Sequence, residues 1–364
     1  MEAPTAVTAR DTPLAAVHKC TGAEMGVWFG CALPNHFGDW LAEYRAARDS
    51  VALIDKNCRA YLRFTGPDRV RYLNAILTNN IQDLAPGAGT ISLLLNPQGH
   101  ILAEIETYAL PDHLFCVSYA MIRERLVETL DKYIIMDDVN LTDEVDLFGT
   151  LALEGPKAAE ALAQLSGVDL SSLGELSTID AAVGALPCRI TRRSPGGIPG
   201  AEFLVARDNL TALWQILAEK VRALGGRPMG YSALSALRLE QGVPWFGYDF
   251  DERHIPHEAG LQDSHISYTK GCYTGQEIVE RVRSRGHANR LRVSLKFLAS
   301  EPPAPGTPLF ADAQEVGYVT RTALSPALGC LLGMAYLRRE YSTPGTRLTC
   351  AATTAEVLKP GAIG

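Results

Sequence analysis

The octapeptide KGCYTGQE, residues 270–277, places a single thiol two residues after a lysine and just ahead of a Thr-x-x-Glu. Thr274 as N-cap and Glu277 at the third helical position fit a capping box, and IVERVR can continue the helix. Cys272 would then lie near the positive end of a helix and near the Lys270 ammonium, and both favour thiolate over thiol. A low-pKa thiolate is a nucleophile, a redox handle or a metal ligand. The same local features also suit a buried structural cysteine, because free cysteine is among the most buried residue types. Both readings stand at this point.

Three other groups carry chemistry-bearing side chains. His254-x-x-His257, with Glu258, Asp263 and His265, offers metal-type donors, but in a Pro-containing loop whose spacing forces no convergence. No metal is expected there. Arg281, Arg283, Arg285, Arg290 and Arg292 form a basic cluster that suits a polyglutamate tail or an RNA phosphate, and equally a solvated charged face. Arg238, beside Glu240 in LRLEQG, reads as a surface charge as readily as a ligand contact. Nothing resembles a P-loop or G-x-G-x-x-G.

The chain that positions these residues is 364 long, room for two or three domains of ~150 residues. Hydrophobic residues make up 47% and charged ones 21%, which suits a globular protein with a sizeable core. A formal charge of −7 argues against a general nucleic-acid or anionic-membrane binder. The N-terminus lacks the apolar core of a signal peptide. The longest uncharged apolar stretch, ALSPALGCLLGMAYL, is shorter than the ~20 residues that span a bilayer. A cytoplasmic protein without membrane contact is expected. The eight cysteines include no C-x-x-C pair, and most read as small buried hydrophobes.

Hydrophobic periodicity sets the elements. ISLLLN runs into NPQG, a turn with Pro second and Gly fourth. HILAEIETYAL then alternates, with Ile101, Ala103 and Ile105 on one face and Leu102, Glu104 and Glu106 on the other. LFCVSYA supplies a third strand. IRERLVETLDKYII (122–135) reads as a helix, and GTLALEG (149–155) as a strand with a helix from Pro156. EFLVA reads as a strand behind the loop SPGGIPG. Leu210, Leu213, Trp214, Leu217, Val221 and Leu224 form the stripe of a helix that Gly225 ends. YSALSALRLEQG (231–242) is another helix. Strands and helices interleave without regular βαβ spacing, which predicts α+β rather than a doubly wound sheet. From residue 290 RLRVSLKFL alternates. EVGYVTRTAL, CLLGMAYL and TRLTC follow between Pro/Gly turns, predicting a small C-terminal β-barrel or sandwich with a boundary near 288–290.

ISYTKGCYTGQEIVERVRSRGHANR resembles the signature of the YgfZ family, folate-binding relatives of the glycine-cleavage T-protein. That family shows K-G-C-[FY]-x-G-Q-E, and Lys270, Gly271, Cys272, Tyr273, Gly275, Gln276 and Glu277 match it. FTGPDRVRYLNAILTNNIQDLAPGAG, LALEGPKA, LRLEQGVPWFGYDFDERHIPHEAGL and GYVTRTALSPALGCLLGMAYLRREYSTPGTRL resemble T-protein blocks in order. The resemblance implies a clover-leaf of folate-binding lobes ending in a β-barrel. Residues 1–34 would be an extension, 35–288 the folate-binding region and 289–364 the barrel. It implies tetrahydrofolate as cofactor, and Cys272, Lys270 and Glu104 as the residues that carry chemistry. It also implies Arg238, Asn96, Tyr273, Gln276 and Glu277 as folate contacts.

Two departures from working T-proteins stand out. Where they carry G-G-[IL]-[IL]-D-D, this chain has Ala103 and Glu104; where they carry the pterin-binding glutamate of Y-T-G-E-x-G, it has Ile198. Both favour the YgfZ-like reading: a folate-binding accessory factor for iron–sulfur cluster assembly or repair, partnered by assembly proteins or client enzymes. One cysteine cannot hold a cluster that takes four ligands, so Cys272 would act with a partner. The alternative is a tetrahydrofolate-dependent aminomethyltransferase or methyltransferase. An RNA-binding module is the weakest expectation.

Overall fold

The computed structural model describes residues 9–299, 301–351 and 353–359. Two compact units emerge, and neither is continuous in sequence. The first holds the chain up to Arg69, Leu84–Gly89 and Glu106–Ala233; the second holds Val70–Asp83, Thr90–Ile105 and everything from Leu234 onward.

The first unit is built on a six-stranded sheet. Its order is Thr178–Val183, Leu186–Arg192, Gly200–Ala206, Phe148–Glu154, Ala52–Asp55 and Arg227–Pro228, antiparallel except at the last pair. Helices Ala158–Ser166 and Leu210–Ala223 share one apolar core with it, in which Leu213, Trp214, Leu217 and Val221 meet Leu151, Leu153, Phe203 and Val205. Each such side chain contributes ~1.5–3 kcal/mol over staying exposed. The helix expected from Pro156 starts at Ala158, after Lys157 as N-cap, whose amide donates to Ser50 O at 2.9 Å. A second sheet pairs the end of Ile101–Ala109 with Leu114–Tyr119, then Arg59–Thr65, then Asn140–Asp143. Residues 10–36, expected to lie in or next to an extension, form a three-stranded sheet of Arg10–Asp11, Cys31–His36 and Glu24–Trp28.

In the second unit, residues 90–95 of strand Gly89–Leu95 and residues 101–105 of strand Ile101–Ala109 meet at the NPQG turn, where Gly99 N donates to Asn96 O and Asn96 N to His100 O. Every residue of Ile101–Ala109 except Leu102 is buried, so its alternation separates two covered faces rather than core from solvent. The C-terminal strands close a six-stranded barrel, in the order Arg290–Phe297, Cys330–Arg338, Gln314–Ser325, Pro308–Ala311, Arg347–Cys350 and Thr353–Val357. Leu295, Phe297, Val319, Leu337 and Leu348 fill it. The apolar run 323–337 belongs to two of these strands. Among the described residues no helix is long and apolar enough to cross a membrane.

The barrel is tied to the segment before it by a buried ion pair. Arg321 donates to Asp249 Oδ2 from Nε at 3.0 Å and Nη2 at 2.6 Å, over the ring of Trp245. Thr320 Oγ1 donates to the other carboxylate oxygen at 2.9 Å.

Candidate functional site

Glu104 lies on Ile101–Ala109 at 9% exposure, with its Oε1 3.1 Å from His265 Nε2. His265 ends the short helix Gln262–His265 and is itself 6% exposed. Its Nδ1 lies 2.7 Å from Ser264 Oγ. The sequence offered His265 only as part of a loose metal-type group. No local signal joins it to Glu104, because the two are 161 residues apart. The remaining histidines of that group go elsewhere: His254 stacks on Tyr336 and meets Tyr318 OH at 2.8 Å, and His257 Nε2 lies 3.3 Å from Tyr268 OH.

Lys270 is engaged by backbone. Its Nζ donates to Asn74 O, Leu77 O and Asn79 O at 2.5, 2.6 and 2.9 Å, gripping the end of helix Arg69–Ile76. Burial pushes its ammonium down to about 8. All three donors of a lysine are thereby used, so its evident work is to anchor the KGC segment.

The expected capping box does not form. The helix is Gln276–Arg285, its N-cap is Gly275 at φ +82°, and no side chain caps it. Glu277 pairs outward with Arg281 at 2.9 Å instead. A Cβ on Gly275 would lie 2.7 Å from Asn96 O, so long-range packing fixes the glycine and places the N-cap one residue past Thr274. Cys272 precedes that helix by four residues and is exposed, which overturns the buried reading.

The expected folate contacts divide. Arg238 is 2% exposed on helix Tyr231–Glu240 and donates to Gln241 Oε1 at 3.3 Å, so it is not a surface charge. Asn96 spends its Oδ1 on His100 N at 2.9 Å within the turn. Tyr273 is 7% exposed with Lys270 Nζ 5.3 Å from its ring centroid, Gln276 is half-buried, and Glu277 is exposed. Ile198 is half-buried in an extended backbone.

The side chain of Arg285 lies outside the described residues, and the other four arginines of the basic cluster all have partners. Arg281 and Arg283 pair with Glu277 and Glu280, and Arg283 lies over Tyr268. Arg290 meets Glu258 at 3.2 Å. Arg292 donates to Ala259 O at 2.8 Å, and burial lowers its pKa.

Tetrahydrofolate presents ring N–H donors and a carboxylate tail. The buried Glu104 carboxylate and the buried Arg238 guanidinium fit those two chemistries in kind. The Ile198 side chain carries no polar atom.

Residues 14–265 match the GCVT N-terminal domain, and residues 290–359 match the Glycine cleavage T-protein C-terminal barrel domain. The chain is similar to an aminomethyltransferase of Streptomyces coelicolor, 30% identical over 93% of this chain and 91% of that one. It is also similar to one of Halothermothrix orenii, 29% identical over 96% and 99%. In fold it resembles the glycine cleavage system aminomethyltransferase T from Bartonella henselae, with a TM-score of 0.88 over 97% of this chain and 98% of that chain, at 23% identity. Tetrahydrofolate, the expected cofactor, is the one that aminomethyltransferases of this family use. These relatives move the balance from the accessory-factor expectation towards the transferase alternative. The chain belongs to the glycine cleavage T-protein family.

Proposed function

We infer that this chain binds tetrahydrofolate and transfers an aminomethyl or related one-carbon group to it, with Glu104 as the carboxylate beside the reacting nitrogens. The observation that carries this reading is Glu104 itself, buried on the strand where T-proteins keep an aspartate pair and held 3.1 Å from an imidazole nitrogen. A carboxylate in that setting can take a proton from an N–H as a bond forms at nitrogen. Arg238 supplies the buried cation for a folate anion or carbonyl. The aminomethyltransferase relatives support the reaction class.

Calorimetry with tetrahydrofolate and an aminomethyl-transfer assay from a lipoyl-bearing carrier test it together. Tetrahydrofolate-dependent turnover is the expected result. Glu104→Gln should lower kcat ~100-fold with binding retained. Arg238→Ala should weaken binding about tenfold or more, since a charge-assisted hydrogen bond is worth ~1.5–3 kcal/mol.

A second reading is favoured by the exposed Cys272 within KGCYTGQE: a YgfZ-like accessory factor in iron–sulfur assembly or repair. Folate binding without turnover supports it, combined with lost iron–sulfur enzyme activity in cells carrying Cys272→Ser.

A further inference from the structure

A line of side chains leads from Glu104 to the protein surface. Glu104 Oε1 lies 3.1 Å from His265 Nε2, and His265 Nδ1 lies 2.7 Å from Ser264 Oγ. The carboxylate and the imidazole are buried, whereas Ser264 is exposed. His265 is also pinned through its backbone. Its amide donates to Leu261 O at 3.0 Å, and its carbonyl accepts Thr78 Oγ1 at 2.6 Å. Thr78, fully buried, accepts in turn from Leu93 N at 2.8 Å, and Leu93 belongs to the strand paired with that of Glu104. The ring is thus fixed against the carboxylate by the same hairpin that carries it.

We propose that His265 is the positioning residue and proton relay for Glu104, exchanging protons between that carboxylate and solvent through Ser264. The relay deepens the transferase reading and rests on it only for what Glu104 does with the proton. Its steps balance. A protonated Glu104 donates from Oε1 to Nε2 of a ring that carries its hydrogen on Nδ1 and donates to Ser264 Oγ. As the proton reaches Nε2, the Nδ1 proton passes to Ser264 Oγ, whose own proton leaves to water. Glu104 is then an anion facing an Nε2–H, and Ser264 donates to Nδ1. Reversal reloads the carboxylate. Imidazole suits this task because its two nitrogens can take up a proton on one side and release one on the other.

The first test needs no turnover. In the full-length protein labelled with 15N-histidine, His265 signals are assigned with His265→Gln. Glu104→Gln and Ser264→Ala should each change the Nδ1–H to Nε2–H ratio of His265. A ratio unchanged in both variants overturns the relay.

The second test reads transfer. His265→Gln keeps an N–H for Glu104 but has no second exchangeable nitrogen, so kcat should fall about tenfold or more while the KM for tetrahydrofolate stays within about threefold. His265→Ala should regain activity with added imidazole. Wild-type kcat in His265→Gln overturns the relay. If the wild-type protein shows no transfer, the transferase reading fails and the tautomer ratios alone decide the relay.

Discussion

Glu104 and Glu106 stand two residues apart on one strand, and both are buried, yet their partners differ in kind. Glu106 accepts from Arg193 Nε at 3.1 Å and Tyr108 OH at 2.8 Å, with Arg59 at 3.6 Å. Burial alone would raise its pKa, but Arg193 and Arg59 outweigh that and hold the carboxyl down to about 2. Glu104 counts a histidine among its partners. Permanent cations fix a charge, whereas an imidazole leaves the proton exchangeable. Arginine contacts suit a carboxylate that holds the fold, and an imidazole contact suits one that exchanges protons.

The largest expected effect breaks or secures that distinction. Glu106→Gln removes the counter-ion shared by the buried Arg59 and the half-buried Arg193, leaving Arg59 with Glu202 at 3.5 Å and Arg193 with Glu175 at 3.6 Å. Denaturant unfolding should show a loss of ~3–5 kcal/mol. Glu104→Gln, which can still hydrogen-bond to His265, should cost ~1 kcal/mol. Equal losses would dissolve the distinction.

Acid sharpens it. The carboxyl of Glu106 sits at about 2 in the fold against an ordinary 4.5. A depressed folded value means that its stabilisation is present above the unfolded value and disappears as pH falls from 4.5 towards 2. Unfolding free energy should therefore drop across that window in the wild type, and less steeply in Glu106→Gln. Parallel curves would show that the arginines do not act on Glu106.

How far the sequence reaches follows the same line between local and long-range causes. The stripe from Leu210 to Val221 and the alternation ending in Leu295 and Phe297 were legible because each element buries one face against a core. The NPQG turn was legible because its residues set their own backbone. The Thr274/Glu277 spacing misled, since a capping box is local while Gly275 answers to Asn96, 179 positions earlier. The pairing of Glu104 with His265, the burial of Arg238 and the ties of Arg290 and Arg292 depend on tertiary neighbours that periodicity does not encode.

Within KGCYTGQE the division recurs, with Gly275 structural and Gly271 free. A Cβ at Gly275 meets Asn96 O at 2.7 Å and a φ of +82°, whereas at Gly271 it meets nothing within 4 Å. Gly275→Ala should cost ~1–3 kcal/mol, and Gly271→Ala should lie within about 0.5 kcal/mol of wild type. Thermal unfolding of the two variants checks the contrast. A neutral Gly275→Ala would mean that the turn can move away from the helix start.

The smallest stability effect belongs to Cys272. Burial pushes the thiols of Cys31 and Cys116 up to about 12 and that of Cys188 up to about 11. Cys58 is also buried and raised. Such groups hold almost no thiolate at pH 8, and the thiolate is the nucleophile. Cys20 and Cys272 are the exposed cysteines. Iodoacetamide at pH 8 should therefore modify these two first in the native protein, with the buried ones following only on unfolding. Peptide mapping by mass spectrometry reads the order. Cys272→Ser should leave stability within about 0.5 kcal/mol of wild type, because the hydroxyl stays in water. Slow modification of Cys272 together with a clearly destabilised serine variant would put this thiol in the core after all, and would remove it from any role at the surface with a partner.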